Sequence, residues 1–373
     1  MARFAGLMGV PLKIVAYVAM KYINVLSVRG DHGKVKSILR DLALLNAVLS
    51  FFIVGSLYLF WGEIRAAMKV EDDRILWILA ALAVLSCWSP VVLMVSQGLK
   101  RFHRIIFSRI LGPVARLVVI LLLLRKLQIA GYLMGNVAQP LAVIILLVAG
   151  LRRYTSRRVT CESYRQHLPE MVSYLWPIGA MTLITALQFA MGPWIVRQYF
   201  SPAESAGYYM AAMFGNIPMW VAPAMIPFLF PLASEQFERG ESTRRMHLQA
   251  LAVICVIGLG ISLFLLLGGQ RILALRRSWR TFQDYSPYVS LLALVATLEV
   301  LMRCHTLHEA ACRRFGFLKY QVPVVAAELG ALFLALTYWR SWVDMASVVM
   351  VMLVSRVITS VCIGVELLTA RCE

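Results

Sequence analysis

Lys13, Tyr17, Lys21 and Asn24 recur every three or four residues within the apolar stretch Ala5 to Val28. That spacing sets them on one helical face. Two ammonium groups on one stripe suit a diphosphate, because a charge inside an apolar span is costly and tends to face a cavity. A plainer reading lets both lysines reach for opposite membrane surfaces along their aliphatic stems. Arg116 stands midway along Ile105 to Leu124, just after Gly112-Pro113, with no acidic residue within helical reach. It either meets a partner helix or binds an anion. Glu299 and Arg303 lie four apart, the spacing of an internal ion pair; the alternative makes Glu299 a proton or cation site that Arg303 tunes. Glu328 has no basic residue within four positions, which makes it the candidate for coupling to an ion gradient, against a polar contact between helices. Lys13, Lys21, Arg116 and Arg303 together favour an anionic substrate over a cationic one.

Cys304, His308 and Cys312 share a helical face, with His305 nearby, a spacing that zinc can use. Helical cysteine is more often plain packing, and no metal is expected. No nucleotide-binding loop, catalytic triad or His-Glu zinc motif occurs, so neither a catalytic residue nor a cofactor is expected. Pro218, Pro223, Pro227 and Pro231 punctuate one segment; each removes a backbone hydrogen bond, so the segment is expected to kink or open and to offer hinge points.

The elements that must hold these groups follow from composition. Hydrophobic residues make up 60% of the chain and charged ones only 15%, more apolar surface than a soluble domain can hide. Six stretches lack Asp, Glu, Lys and Arg for the ~20 residues that a spanning helix needs: Leu42 to Gly62, Ile75 to Leu99, Leu127 to Leu151, Met171 to Val196, Ser205 to Ser234 and Met246 to Gln270. Five more are long enough but punctured by charge: Ala5 to Val28, Ile105 to Leu124, Tyr285 to Leu307, Tyr320 to Trp339 and Trp342 to Leu368. The sum is an all-α polytopic membrane protein of about eleven transmembrane helices. Net charge is +18, and cytoplasmic loops that collect Lys and Arg explain it without nucleic acid. Their bias puts the Arg29 loop and the C-terminus in the cytoplasm; only the Arg271 to Arg280 loop argues otherwise. The seven cysteines are scattered and show no disulfide spacing.

The chain also repeats itself. Arg29-Gly30-Asp31 with Lys34 returns as Arg239-Gly240-Glu241 with Arg244, Lys100-Arg101-Phe102 as Arg313-Arg314-Phe315, and Pro113 as Pro323. A near-constant offset of 210 to 213 residues is the mark of a transporter built from two parallel repeats. Two pseudo-symmetric lobes are expected: residues 1–151 with five helices, a basic cytoplasmic connector at 152–170, and residues 171–373 with six. Moving Met171 to Val196 back by the offset places its twin before Met1, so the first lobe is expected to lack its opening helix.

With these motifs in view, the chain resembles the polysaccharide and O-antigen flippases of the multidrug, oligosaccharidyl-lipid and polysaccharide exporter superfamily. Gln97-Gly98-Leu99 with Arg101-Phe102, the Gly30-Asp31 turn, and Ala206-Gly207-Tyr208-Tyr209 opening a helix that ends in Phe230-Pro231 before Ser234 carry the likeness. The resemblance implies two six-helix lobes around a central cavity. It also implies movement of an undecaprenyl-diphosphate-linked oligosaccharide across a bacterial inner membrane for O-antigen, capsule or exopolysaccharide synthesis. The partners it implies are that lipid-linked glycan, membrane lipids, a coupling proton or sodium ion, and other polysaccharide-assembly proteins. A drug exporter of the same superfamily is the alternative. A polymerase or ligase of polysaccharide assembly ranks below both, because the loops are too short for sugar chemistry.

Overall fold

Lipid offers no partner to a backbone N–H or C=O, and the apolar stretches satisfy these groups internally as helices. The structure is a computed structural model describing residues 10–68, 73–151, 154, 160–338 and 343–369. Most of the connector arginines, Arg152, Arg153, Arg157 and Arg158, therefore lie outside the described residues, as do both chain ends. The chain divides into two compact units, Met1–Thr182 and Leu183–Glu373. The division falls inside a helix.

In the first unit α1 (Val10–Val28), α2 (His32–Leu59), the short α3 (Trp61–Met68), α4 (Asp73–Gly98) and α5 (Phe102–Ala149) follow in order. Both α1 and α5 pack on α4, the centre of the unit. The stretches Ile105 to Leu124 and Leu127 to Leu151 are two halves of α5, which breaks sharply at Gln128 (φ 47°, ψ −116°). The halves fold back on each other through glycine: a Cβ on Gly131 would stand 2.6 Å from the Leu123 carbonyl oxygen, and one on Gly135 would strike Ile120. Bulkier side chains would force the halves apart.

Helix α6 (Leu168–Tyr199) leads from the first unit into the second. There follow α7 (Pro202–Gly215), α8 (Ile217–Glu238), α9 (Arg244–Ala274), a 3-10 segment Arg277–Tyr285, α10 (Ser286–Ala311), α11 (Leu318–Tyr338) and α12 (Met345–Thr369). Helix α10 is the hub, touching α7, α8, α9 and α12. Ser201 caps α7 in a full capping box with Glu204, whose carboxyl those hydrogen bonds hold below the usual carboxylate range. The expected single segment Ser205 to Ser234 is two helices, because the chain breaks at Asn216, with Pro218 just inside the start of α8. Pro223, Pro227 and Pro231 lie within α8 beyond that break. Pro223 and Pro227 have only their backbone among the described residues.

Nine helices among the described residues are long and apolar enough to cross a membrane, Phe102–Ala149 counted as one. Its two halves, together with the α7–α8 pair, account for the eleven expected segments. The protein is a multi-pass membrane protein.

The sequence echoes are also structural echoes. Gly30 and Gly240 both adopt positive φ, at 81° and 73°. Each carries the same closing bonds, Gly30 N to Ser27 O and Asp31 N to Leu26 O matching Gly240 N to Phe237 O and Glu241 N to Gln236 O. Lys100 and Arg313 repeat the motif at φ 54° and 59°, with Arg101 N to Ser96 O matching Arg314 N to Glu309 O. All four are left-handed helix stops of the Schellman type, which absorb the last free carbonyls. Pro113 and Pro323 both sit inside helices.

Candidate functional site

Lys21 is drawn into the first unit. It is 1% exposed, and its Nζ stands 4.7 Å from the centre of the Tyr174 ring at the start of α6. A desolvated cation over an aromatic face gains about 2 kcal/mol. Asn24, one turn on, is equally buried, while Lys13 and Tyr17 are half-buried further along α1. Gly98 sets the depth of this site. A Cβ there would stand 2.7 Å from the Met20 carbonyl oxygen, so only glycine lets α4 close on the helix that carries Lys21. Arg116 meets a partner within its own hairpin: its Nη2 donates to the Tyr132 hydroxyl at 3.1 Å, and the guanidinium lies 5.6 Å from that ring.

The second unit holds an ionic group that crosses three helices. Arg356 on α12, 1% exposed, donates from Nε to Glu299 Oε2 at 2.8 Å and from Nη1 to Glu328 Oε2 at 2.6 Å. The Ser355 hydroxyl donates to the same Glu328 oxygen at 2.8 Å. This corrects the expected pairing of Glu299 with Arg303. Arg303 makes no ion pair among the described residues, and Glu299 turns across to α12. Glu328, without a basic neighbour along its own helix, finds one on another. Spacing along one helix could not show this, because the partner is 57 residues from Glu299 and 28 from Glu328. Arg356 was visible as a charge inside a span, which was the signal that an acidic partner had to exist.

An apolar cluster fixes the register around that group. Ile195 of α6, Val295 of α10, Leu332 of α11 and Met352 of α12 pack together. From each, a step of one or two turns toward the same end reaches Gln188, Glu299, Glu328 and Arg356 respectively. Gln188 is 3% exposed, and neither atom of its amide is hydrogen-bonded among the described residues.

A second polar cluster joins the ends of α9, α10, α11 and α12. His247 Nε2 lies 3.2 Å from His305 Nδ1, and its ring stacks on His308 at 3.9 Å between centres. His308 contacts Thr243 at 2.9 Å and Glu309 at 3.1 Å, with the Cys312 sulfur 3.9 Å away. His305 faces Glu366 at 3.6 Å, and Glu366 accepts a hydrogen bond from Tyr320 at 2.5 Å. Cys304 points elsewhere, into an apolar cluster with Leu229, Ile254 and Val300. Among the described residues no three of these side chains are arranged to hold a metal.

Outside the spans, the connector is tied to the first unit. Tyr164 donates to Asp41 at 2.9 Å, and burial, reinforced by that bond, pushes its hydroxyl up to about 12. Glu162 N donates to Gly33 O at 3.3 Å.

With this geometry described, comparison with known proteins gives three results. The model of a family described as "Polysaccharide biosynthesis protein" matches residues 8–237. Stage V sporulation protein B of Bacillus subtilis is 22% identical over 279 residues, covering 66% of this chain and 52% of that protein. The chain thus spans about half the length of the curated relative it matches. Among solved structures, a MATE in the straight conformation aligns with a TM-score of 0.73 at 12% identity, over 99% of this chain and 87% of that one. An inward-facing multidrug resistance MATE family transporter of the MOP superfamily aligns at 0.67 and 12%, over 100% and 90%. A MOP superfamily transporter from Pyrococcus furiosus aligns at 0.69 and 12%, over 98% and 85%. At such identity these likenesses carry the fold alone.

Proposed function

We propose, from the premise that the chain belongs to the polysaccharide biosynthesis protein family, that it flips an undecaprenyl-diphosphate-linked oligosaccharide across a bacterial inner membrane. The product serves O-antigen, capsule or exopolysaccharide synthesis, and the C-terminus lies in the cytoplasm. Flipping breaks no bond. It requires a polar path for the diphosphate-sugar head and two states open to opposite sides.

The observation that carries this reading is Lys21, an ammonium kept inside the protein in the middle of a span. Its role is to receive the diphosphate, with Asn24 beside it and Lys13, Tyr17, Arg116 and Arg303 as further contacts along the path. A cationic drug gains nothing from such a lining, which ranks the exporter reading second. Glu299 and Glu328 are assigned to coupling with a proton or sodium gradient. Pro218, Pro223, Pro227 and Pro231, with the break at Asn216, are assigned to the hinge.

Lys21→Gln, expressed in a strain lacking its own flippase, is expected to insert at wild-type level and lose surface glycan. Lys21→Arg is expected to retain it. Unimpaired glycan in the glutamine variant would take Lys21 out of the path.

A further inference from the structure

The ionic layer around Arg356 goes further than its assignment to coupling, on which the following rests. We propose that Arg356 is the layer's resident cation, so that the ion exchanged there is a proton and not a metal ion.

The contacts give the first reason. A metal ion bridging Glu299 and Glu328 would compete with a guanidinium that already stands between them, holding the Oε2 of each at 2.8 and 2.6 Å. Arg356 is tethered and cannot be exchanged with solvent, and its charge repels a second cation.

Charge balance gives the second. With both carboxylates ionised the layer carries two negative charges against one positive. The excess is costly in an apolar surround. On the helices that carry the layer, α6 has no ionisable residue between Leu183 and Val196, α11 none but Glu328 between Tyr320 and Tyr338, and α12 none within a turn of Arg356; from α7, Tyr208 brings its hydroxyl against Gly192 of α6. Arg303 stands one turn away on α10, without an ion pair among the described residues. Helices α8 and α9 meet another face of α10, through Val300 and Cys304. One proton taken from water by either carboxylate brings the layer to neutrality, leaving one acid and one guanidinium–carboxylate pair.

Gln188 gives the third. Gln188, two turns from Ile195 on α6, is a buried amide with no hydrogen-bond partner among the described residues, a polar group left to be satisfied. An amide can donate to a carboxylate or accept from a carboxylic acid, so such a group suits either protonation state.

The test uses the full-length protein in nanodiscs. Thermal unfolding of wild type is followed in sodium chloride and in choline chloride of equal ionic strength. Wild type is expected to unfold at the same temperature in both. Arg356→Ala vacates the position between the carboxylates and is expected to gain a sodium-specific rise of a few degrees; Arg356→Lys is not. A sodium-specific rise in wild type that Glu299→Gln removes would overturn the inference, as would a folded Arg356→Ala with none. Should Arg356→Ala not fold, infrared difference spectra of wild type across the pH range decide. A carboxylic-acid band that disappears in Glu299→Gln or Glu328→Gln supports a proton site, and absence of that band overturns it. The coupling assignment fails separately, if glycan export in both glutamine variants keeps its dependence on the ion gradient.

Discussion

Arg356 decides how each residue of the ionic layer responds to change. Losing the arginine strands two buried carboxylates against each other, whereas losing one carboxylate leaves a neutral pair. Breaking a buried pair from one side costs about 3–5 kcal/mol. Arg356→Gln is therefore expected to lower the unfolding temperature strongly, and Glu299→Gln or Glu328→Gln only slightly. Unfolding of the purified variants checks the order, and equal losses in all three would show that net charge does not govern the layer. Of these residues the sequence offered the acids and missed how they connect. Glu299 had Arg303 in helical reach, and a rule of local spacing pairs them. The rotation of α10 against α12, which local spacing does not contain, gives Glu299 to Arg356.

Glycine acts at the scale of elements, in two distinct ways. At Gly98 the constraint is closeness: a methyl group would meet the Met20 carbonyl oxygen at 2.7 Å, and backbone cannot step aside. Gly98→Ala is expected to cost about 1–3 kcal/mol, as overpacking does, and to push α4 from α1. At Gly30 and Gly240 the constraint is conformational, since nothing lies within 4 Å of either Cβ position and only the positive φ is at stake. Alanine at each is expected to cost about 1–2 kcal/mol, and by the same amount at both because the two stops are copies. Gly260→Ala, in a helix with open space, serves as the control. Denaturant unfolding of the four variants tests the set; a loss at Gly240 alone would break the equivalence of the repeats.

At the scale of the whole molecule, the distribution of Lys and Arg underlies the proposal that the Arg29, Arg239 and Arg313 turns are cytoplasmic. Cys161 reports on that assignment, being the exposed thiol among the described cysteines. In a Cys372→Ser background, a membrane-impermeant maleimide is expected to label Cys161 in inverted membrane vesicles and not in intact spheroplasts. Labelling from the outer side would invert the topology and, with it, the direction of transport argued above.

The sequence by itself determined the apolar spanning segments and the recurrence of the Gly30 and Lys100 motifs at Gly240 and Arg313. Each of these rests on interactions within a few residues of chain: in lipid the backbone must bond to itself, and a Schellman turn closes over six residues. Tertiary structure alone decided which buried charges meet. Arg356 reaches Glu299 and Glu328, and Lys21 reaches Tyr174, because helices far apart in the chain settle against shared apolar clusters. Those contacts depend on rotation and depth between packed helices, which side-chain volumes summed over many neighbours set and no short stretch of sequence encodes.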